Sequence, residues 1–193
     1  MMIPTAKRFT IQEYHRLTEL GFFQEGDRVE LIQGEMIQMA AKGTAHTTVT
    51  KRLLRALGQR LGDRATMQIQ DPLFLPPNSE PEPDIALVKN RADDYLSGHP
   101  TPEDVILVIE IADSSLRYDR EVKLPLYAKA GITDYWIFNL VNNTLECYSE
   151  PYQDNRETCG YRQRRIVLPD ERVSLPGFSD LLLDLAEIFP HQS

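Results

Sequence analysis

Val105-Ile106-Leu107-Val108-Ile109-Glu110-Ile111 is the stretch on which the reading of this chain turns. Near-continuous Val, Ile and Leu reads as a strand covered on both faces, because a strand with one wet face alternates apolar and polar residues. Glu110 interrupts that pattern. An ionised carboxylate at the end of such a strand must be paired, hydrogen-bonded or bound to a metal, so this residue is the first functional candidate.

Working outward, a helix is expected from about Tyr118 to Ala130, ended by Gly131. Pro125 inside it predicts a kink, or a delayed start near Arg120. Ile132 to Phe138 reads as another buried strand, turned by Asn142-Asn143 into Leu145-Glu146-Cys147-Tyr148. On the N-terminal side, Asp84 to Val88 and Met67 to Leu75 have strand character, with prolines at 72, 76, 77, 81 and 83 confining them to short runs. Along His46 to Gly62, Val49, Leu53, Ala56, Leu57 and Leu61 recur at helical spacing. Val29 to Ile32 and Met36 to Met39 flank Gln33-Gly34-Glu35 as a hairpin. Thr10-Ile11-Gln12-Glu13 opens a first helix with the pattern of a capping box, and Gly21 ends it. Segments 156–168 and 173–178 read as edge strands, and Asp180 to Phe189 as a short amphipathic helix. The expected fold is α/β (α+β), a mixed central sheet flanked by helices with additional C-terminal antiparallel strands.

The 193 residues, 41% hydrophobic, suffice for one domain spanning 1–193, with its core roughly at 24–140. Cys147 and Cys159 lack the paired spacing of a structural zinc site and point to a reducing, cytoplasmic setting. No stretch approaches the roughly 20 apolar residues of a membrane span, and Met1 to Thr10 has no secretory apolar core. A soluble, unprocessed protein is the expectation. The net charge of −8 argues against a generic nucleic-acid binder. Basic residues do gather at Lys51, Arg52, Arg55 and Arg60 and at Arg156, Arg162, Arg164 and Arg165, where a solvated face is the simpler reading.

Two further residues join Glu110. Asp84 follows a proline at the start of an apolar strand, where it could also cap a turn. Lys123 could form an ordinary helix-surface pair with Asp119, contributing about 0.3–0.5 kcal/mol. Two carboxylates and a lysine brought together can instead hold a divalent metal and stabilise an attacking hydroxide, which is the chemistry of phosphodiester cleavage.

The run from Glu82-Pro83-Asp84 through Val108-Ile109-Glu110-Ile111-Ala112-Asp113-Ser114-Ser115 and Asp119-Arg120-Glu121-Val122-Lys123 to Tyr127-Ala128-Lys129-Ala130-Gly131-Ile132-Thr133-Asp134-Tyr135-Trp136-Ile137 resembles the Uma family of restriction endonuclease-like proteins, in the PD-(D/E)XK nuclease superfamily. Glu30-Leu31-Ile32-Gln33-Gly34-Glu35 and His46 extend the resemblance over most of the chain. It implies a restriction-endonuclease-like fold and a nuclease hydrolysing DNA with Mg²⁺, Mn²⁺ being a possible substitute. Asp84 and Glu110 would hold the metal, with a main-chain carbonyl near Ile111. The superfamily lysine two residues after the second acid is replaced here by Ala112, and Lys123 matches the position from which the Uma pattern supplies it. Glu35 is implied as a supplementary acid, or else is an exposed turn residue. His46 is implied as a phosphate or substrate contact, or else is a cap or packed side chain. Asp113, Ser114, Ser115 and Asp119 would support the site.

Tyr135 and Trp136 are expected in the core rather than stacked on bases, and His15, His99 and His191 form no ligand pattern. A homodimer would serve cleavage of both strands. Two other readings stay open: a silent nuclease-fold module binding nucleic acid or protein, and a metal-dependent hydrolase of a small phosphorylated substrate.

Overall fold

The computed structural model describes residues 5–24 and 26–189, so the readings of Met1 to Pro4 and of His191 lie outside the described residues. Six strands form one mixed sheet: β3 (Thr66–Gln68), β4 (Ile85–Val88), β5 (Val105–Ala112), β6 (Asp134–Asn139), β7 (Thr144–Gln153) and β8 (Cys159–Val167), adjacent in that order. β5 and β6 pair in parallel and every other neighbour is antiparallel. β5 therefore lies inside the sheet, flanked by β4 and β6.

Successive side chains on a strand face opposite ways, and β5 needs apolar residues on both. Leu107, Ile109 and Ile111 join Trp136 and Phe138 in one buried layer, closed by Val49, Leu53 and Leu57 of α2 (Thr44–Leu61). Val108 and Ala112 join Tyr135 and Ile137 on the other face. That face is covered by the helical segment 116–129, whose Leu126 and Tyr127 are buried against it. Glu110 shares the second face, between Val108 and Ala112. Tyr135 and Trp136 are core residues, 0% and 2% exposed.

A hairpin of β1 (Val29–Ile32) and β2 (Glu35–Gln38) stands beside this sheet. Its turn needs Gly34: φ is +79°, and a Cβ there would come within 2.8 Å of Arg8 Cβ. α1 (Ile11–Glu19) begins with the expected capping box between Thr10 and Glu13. Among the described residues no helix is long and apolar enough to cross a membrane.

Three expectations are corrected. The strand expected over Met67 to Leu75 stops at Gln68, because Gln70 turns to a positive φ of 58° before Asp71-Pro72. The C-terminal run Asp180 to Phe189 is not a helix. Phe178–Asp184 is strand β10, paired with β9 (Arg172–Leu175) across Pro176-Gly177, and only Leu185–Glu187 makes a helical turn. Leucine favours helix, but a Pro-Gly turn after β9 folds the next segment back as its partner. These two strands form a separate ribbon rather than edges of the main sheet. The helix around Pro125 carries the irregularity expected of it and is composite: α3 (Leu116–Tyr118), a π turn over Asp119–Lys123, and α4 (Leu124–Lys129) with proline in its first turn.

Of the basic side chains of α2, Lys51 and Arg55 are exposed as expected, whereas Arg52 and Arg60 tie the helix to the C-terminal segment. Arg52 donates to the carbonyls of Ile188 and Phe189, and Arg60 to that of Leu182. Leu107, fully buried between sheet and α2, gives a direct check on the packing. Leu107→Ala should lower unfolding free energy by about 2–5 kcal/mol, read as a fall in the urea midpoint at unchanged slope.

Candidate active site

Asp84 stands immediately before β4 and Glu110 near the end of β5. The antiparallel pairing of these strands, with Ile85 opposite Ile109, brings the two acids together. The backbone N–H of Asp84 lies 3.4 Å from Glu110 Oε2, and that of Ile111 donates to Asp84 Oδ2 at 2.9 Å. Both carboxylates are thus held by the sheet itself.

The lysine arrives by way of the π turn. The backbone N–H of Leu124 bonds back to the carbonyl of Asp119, five residues earlier, so the turn is one residue wider than an α-helical one. Asp119 and Lys123 both end up buried, 2% and 1% exposed. The Lys123 ammonium donates to Glu110 Oε1 at 2.9 Å and lies 3.4 Å from Glu30 Oε2. Tyr127, one turn further, donates its hydroxyl to the same Glu110 oxygen at 3.1 Å. Lys123 therefore does not form the surface pair with Asp119 that its spacing allowed. Asp119 accepts instead from the Ser115 hydroxyl at 2.7 Å.

α2 and the loop before it supply the remaining groups. His46 Nε2 lies 2.9 Å from Asp84 Oδ2, and the Lys42 ammonium donates to Asp84 Oδ1 at 2.7 Å. A cavity of about 290 Å³ opens over this cluster, with Asp84, Glu110, Asp119, Lys123, Lys42 and His46 in its wall.

Of the residues expected at the site, Asp84, Glu110, Lys123 and His46 come together. Glu35 does not. It is more than half exposed at the turn end of the β1–β2 hairpin and pairs with Arg8, whereas the opposite end of β2 borders the cavity. The early-segment acid that does approach is Glu30, fully buried on β1. Sequence reasoning missed it, although an acid among Val29, Leu31 and Ile32 carries the same signal as Glu110 within its strand. Lys42, in Ala-Ala-Lys-Gly, offered no such signal.

The electrostatics follow from burial. Glu30, Asp84, Glu110 and Asp119 face two ammonium groups and one imidazole in a space nearly closed to water. Burial raises the Glu110 carboxyl to about 8 against the pull of Lys123, with Asp119 and Asp84 adding to the rise. Asp119 is likewise raised by burial, to about 6, although Lys123 and Ser115 oppose it. Burial would raise Asp84 too, but His46 and Lys42 outweigh it and hold the carboxyl down at about 2. Desolvation alone would lower Lys123, yet Glu110, Glu30 and Asp119 keep its ammonium firmly charged.

The oxygen donors suit a hard divalent cation. Asp84 Oδ1 and Glu110 Oε2 are carboxylate oxygens on adjoining strands, the kind of ligand Mg²⁺ takes while keeping several waters. Among the described residues, no three His, Cys, Asp or Glu side chains converge as a complete metal cage.

The family model Uma2, described as "Putative restriction endonuclease", matches residues 11–186. Among solved structures, the chain is similar to a putative nuclease belonging to DUF820 from Anabaena variabilis, at 17% identity and a TM-score of 0.69. That match covers 94% of this chain and 97% of the other, and at such identity it speaks for the fold. No curated protein matches the sequence.

Lys123 sets up a test of the buried cluster. Lys123→Met leaves Glu110 and Glu30 without their cation, so the folded Glu110 carboxyl, already raised by burial, rises further above its unfolded value near 4.5. Acids raised on folding are tolerated below the unfolded pKa and destabilise as pH climbs through the folded one. The variant should therefore lose about 3–5 kcal/mol at pH 8 and much less at pH 5, measured by urea unfolding at both.

Proposed function

The chain belongs to the Uma2 family, whose model is described as "Putative restriction endonuclease", and on that footing we propose that it is a metal-dependent endonuclease hydrolysing DNA phosphodiester bonds at the Asp84, Glu110 and Lys123 cluster. One observation carries this reading: two carboxylates from adjoining strands and a lysine from the following helix meet in the wall of a single cavity, with Glu110 taking the Lys123 ammonium on one oxygen and lying 3.4 Å from the Asp84 N–H with the other.

In the proposed mechanism Asp84 and Glu110 hold a divalent cation, Mg²⁺ or in its place Mn²⁺. When bound it would act as a Lewis acid on a phosphate oxygen and lower the pKa of a bound water. The remaining steps belong to the chain. The Ile111 N–H and His46 fix the plane of the Asp84 carboxylate through Oδ2, leaving Oδ1 toward the cavity. Lys123 and Tyr127 fix Glu110 through Oε1, so Oε2, with only the long 3.4 Å contact to the Asp84 N–H, is the oxygen that would turn to a ligand. The Lys123 ammonium, lining the cavity, stabilises the attacking hydroxide, and its own position is held by Glu30. His46 serves the site through Asp84. Two copies related by a two-fold axis would place one such centre on each strand of a duplex.

The test is cleavage of supercoiled plasmid and of single-stranded DNA with Mg²⁺ or Mn²⁺. Asp84→Asn, confirmed folded by circular dichroism, should cut about 10²–10³-fold more slowly than the native protein. A native protein that binds duplex DNA without cutting it under any metal would instead be a binding module. One that neither binds nor cuts nucleic acid, but hydrolyses a small phosphate ester, would move the substrate class.

A further inference from the structure

The two oxygens of Asp84 are held in different ways. Oδ2 accepts from the Ile111 backbone at 2.9 Å and meets His46 at 2.9 Å, and both partners belong to core elements. Among the described residues Oδ1 meets one partner, the Lys42 ammonium at 2.7 Å. Lys42 lies in the short connection between β2 and α2, residues 39–43, which walls the cavity. Its side chain is 19% exposed, against 1% for Lys123, so it can leave without opening the core.

Lys42 therefore sits on the carboxylate oxygen that the proposed metal would need. An oxygen ligand of Mg²⁺ approaches to about 2.0–2.1 Å, inside the shell that the ammonium now fills. A divalent cation and an ammonium on one oxygen repel each other, and the more mobile partner must give way.

Resting on the metal-dependent reading above, we propose that the Lys42 ammonium is the resident cation of Asp84, which a divalent metal must displace, so that this lysine sets the metal concentration at which the site loads. In the resting protein it offsets the charge of a buried acid and holds the 39–43 connection over the cavity. Loading the metal frees the amine into the cavity. The apparent metal affinity is then the intrinsic affinity reduced by the fraction of molecules in which Lys42 has left Asp84.

The experiment has two readouts besides activity. Mn²⁺ binding by calorimetry should be tighter in Lys42→Met than in the native protein, on the order of tenfold. Loss of any nearby positive charge would tighten binding somewhat, so the second readout follows the amine itself. Acylation of Lys42 by an N-hydroxysuccinimide ester, followed by mass spectrometry, should be slow in the native protein alone and faster when Mn²⁺ or Ca²⁺ saturates it. In Asp84→Asn it should be fast with or without metal. Native protein that binds Mn²⁺ while Lys42 acylation stays unchanged overturns the displacement and leaves the metal reading standing. Absence of Mn²⁺ binding in both the native protein and Lys42→Met removes the metal reading and the displacement together. Binding seen in Lys42→Met alone supports the displacement in its strongest form.

Discussion

A single ammonium, that of Lys123, joins three parts of the molecule that are distant in sequence. It comes from the turn between α3 and α4, and it meets Glu110 on the central strand and Glu30 on the β1–β2 hairpin. Burying such a charge is tolerable only if its partners are buried with it and aimed at it. That requirement couples the hairpin, the sheet and the helical segment more tightly than apolar contact would, because apolar layers can slide and an ion cluster cannot. The cavity inherits its shape from the same condition.

The parts of this arrangement that could be read in the sequence are those where one residue contradicts its surroundings. Glu110 within Val105–Ala112 stood out as an acid with no solvent to face, and it proves to lie 2.9 Å from a lysine. Asp84 was placed beside it through the family pattern, since on its own it could have capped a turn, and the pairing of β4 with β5 brings the two together. Lys123 was legible only through the family pattern, since its spacing from Asp119 favoured a surface pair. What turned that choice was the π turn, and a turn one residue wider leaves little mark beyond Pro125 following it.

Where the reading failed, the cause is tertiary. Glu35 and Glu30 belong to the same hairpin, and sequence alone does not say which end of a hairpin points to the site. The structure sends the turn end toward Arg8 and the open end toward the cavity. The leucines of 181–183 were read as helical, and the tight Pro176-Gly177 turn made them a strand. The arginines of α2 were read as a solvated face, yet Arg52 and Arg60 close the C-terminal segment onto the helix by bonding its carbonyls. Such contacts join residues more than a hundred positions apart, and no local pattern announces them.

The wide turn at Asp119–Lys123 also makes the position of the lysine a matter of counting. Each residue advances an α-helix by about 100°. Removing one residue from the turn would restore a regular helix, with better hydrogen-bond geometry, and would swing either Lys123 or the Leu126–Tyr127 pair away from the sheet. Local regularity and the cluster are therefore in direct opposition at this point. An insertion or deletion that a surface loop would absorb is here a change of chemistry, because the length of 119–123 sets where the lysine points.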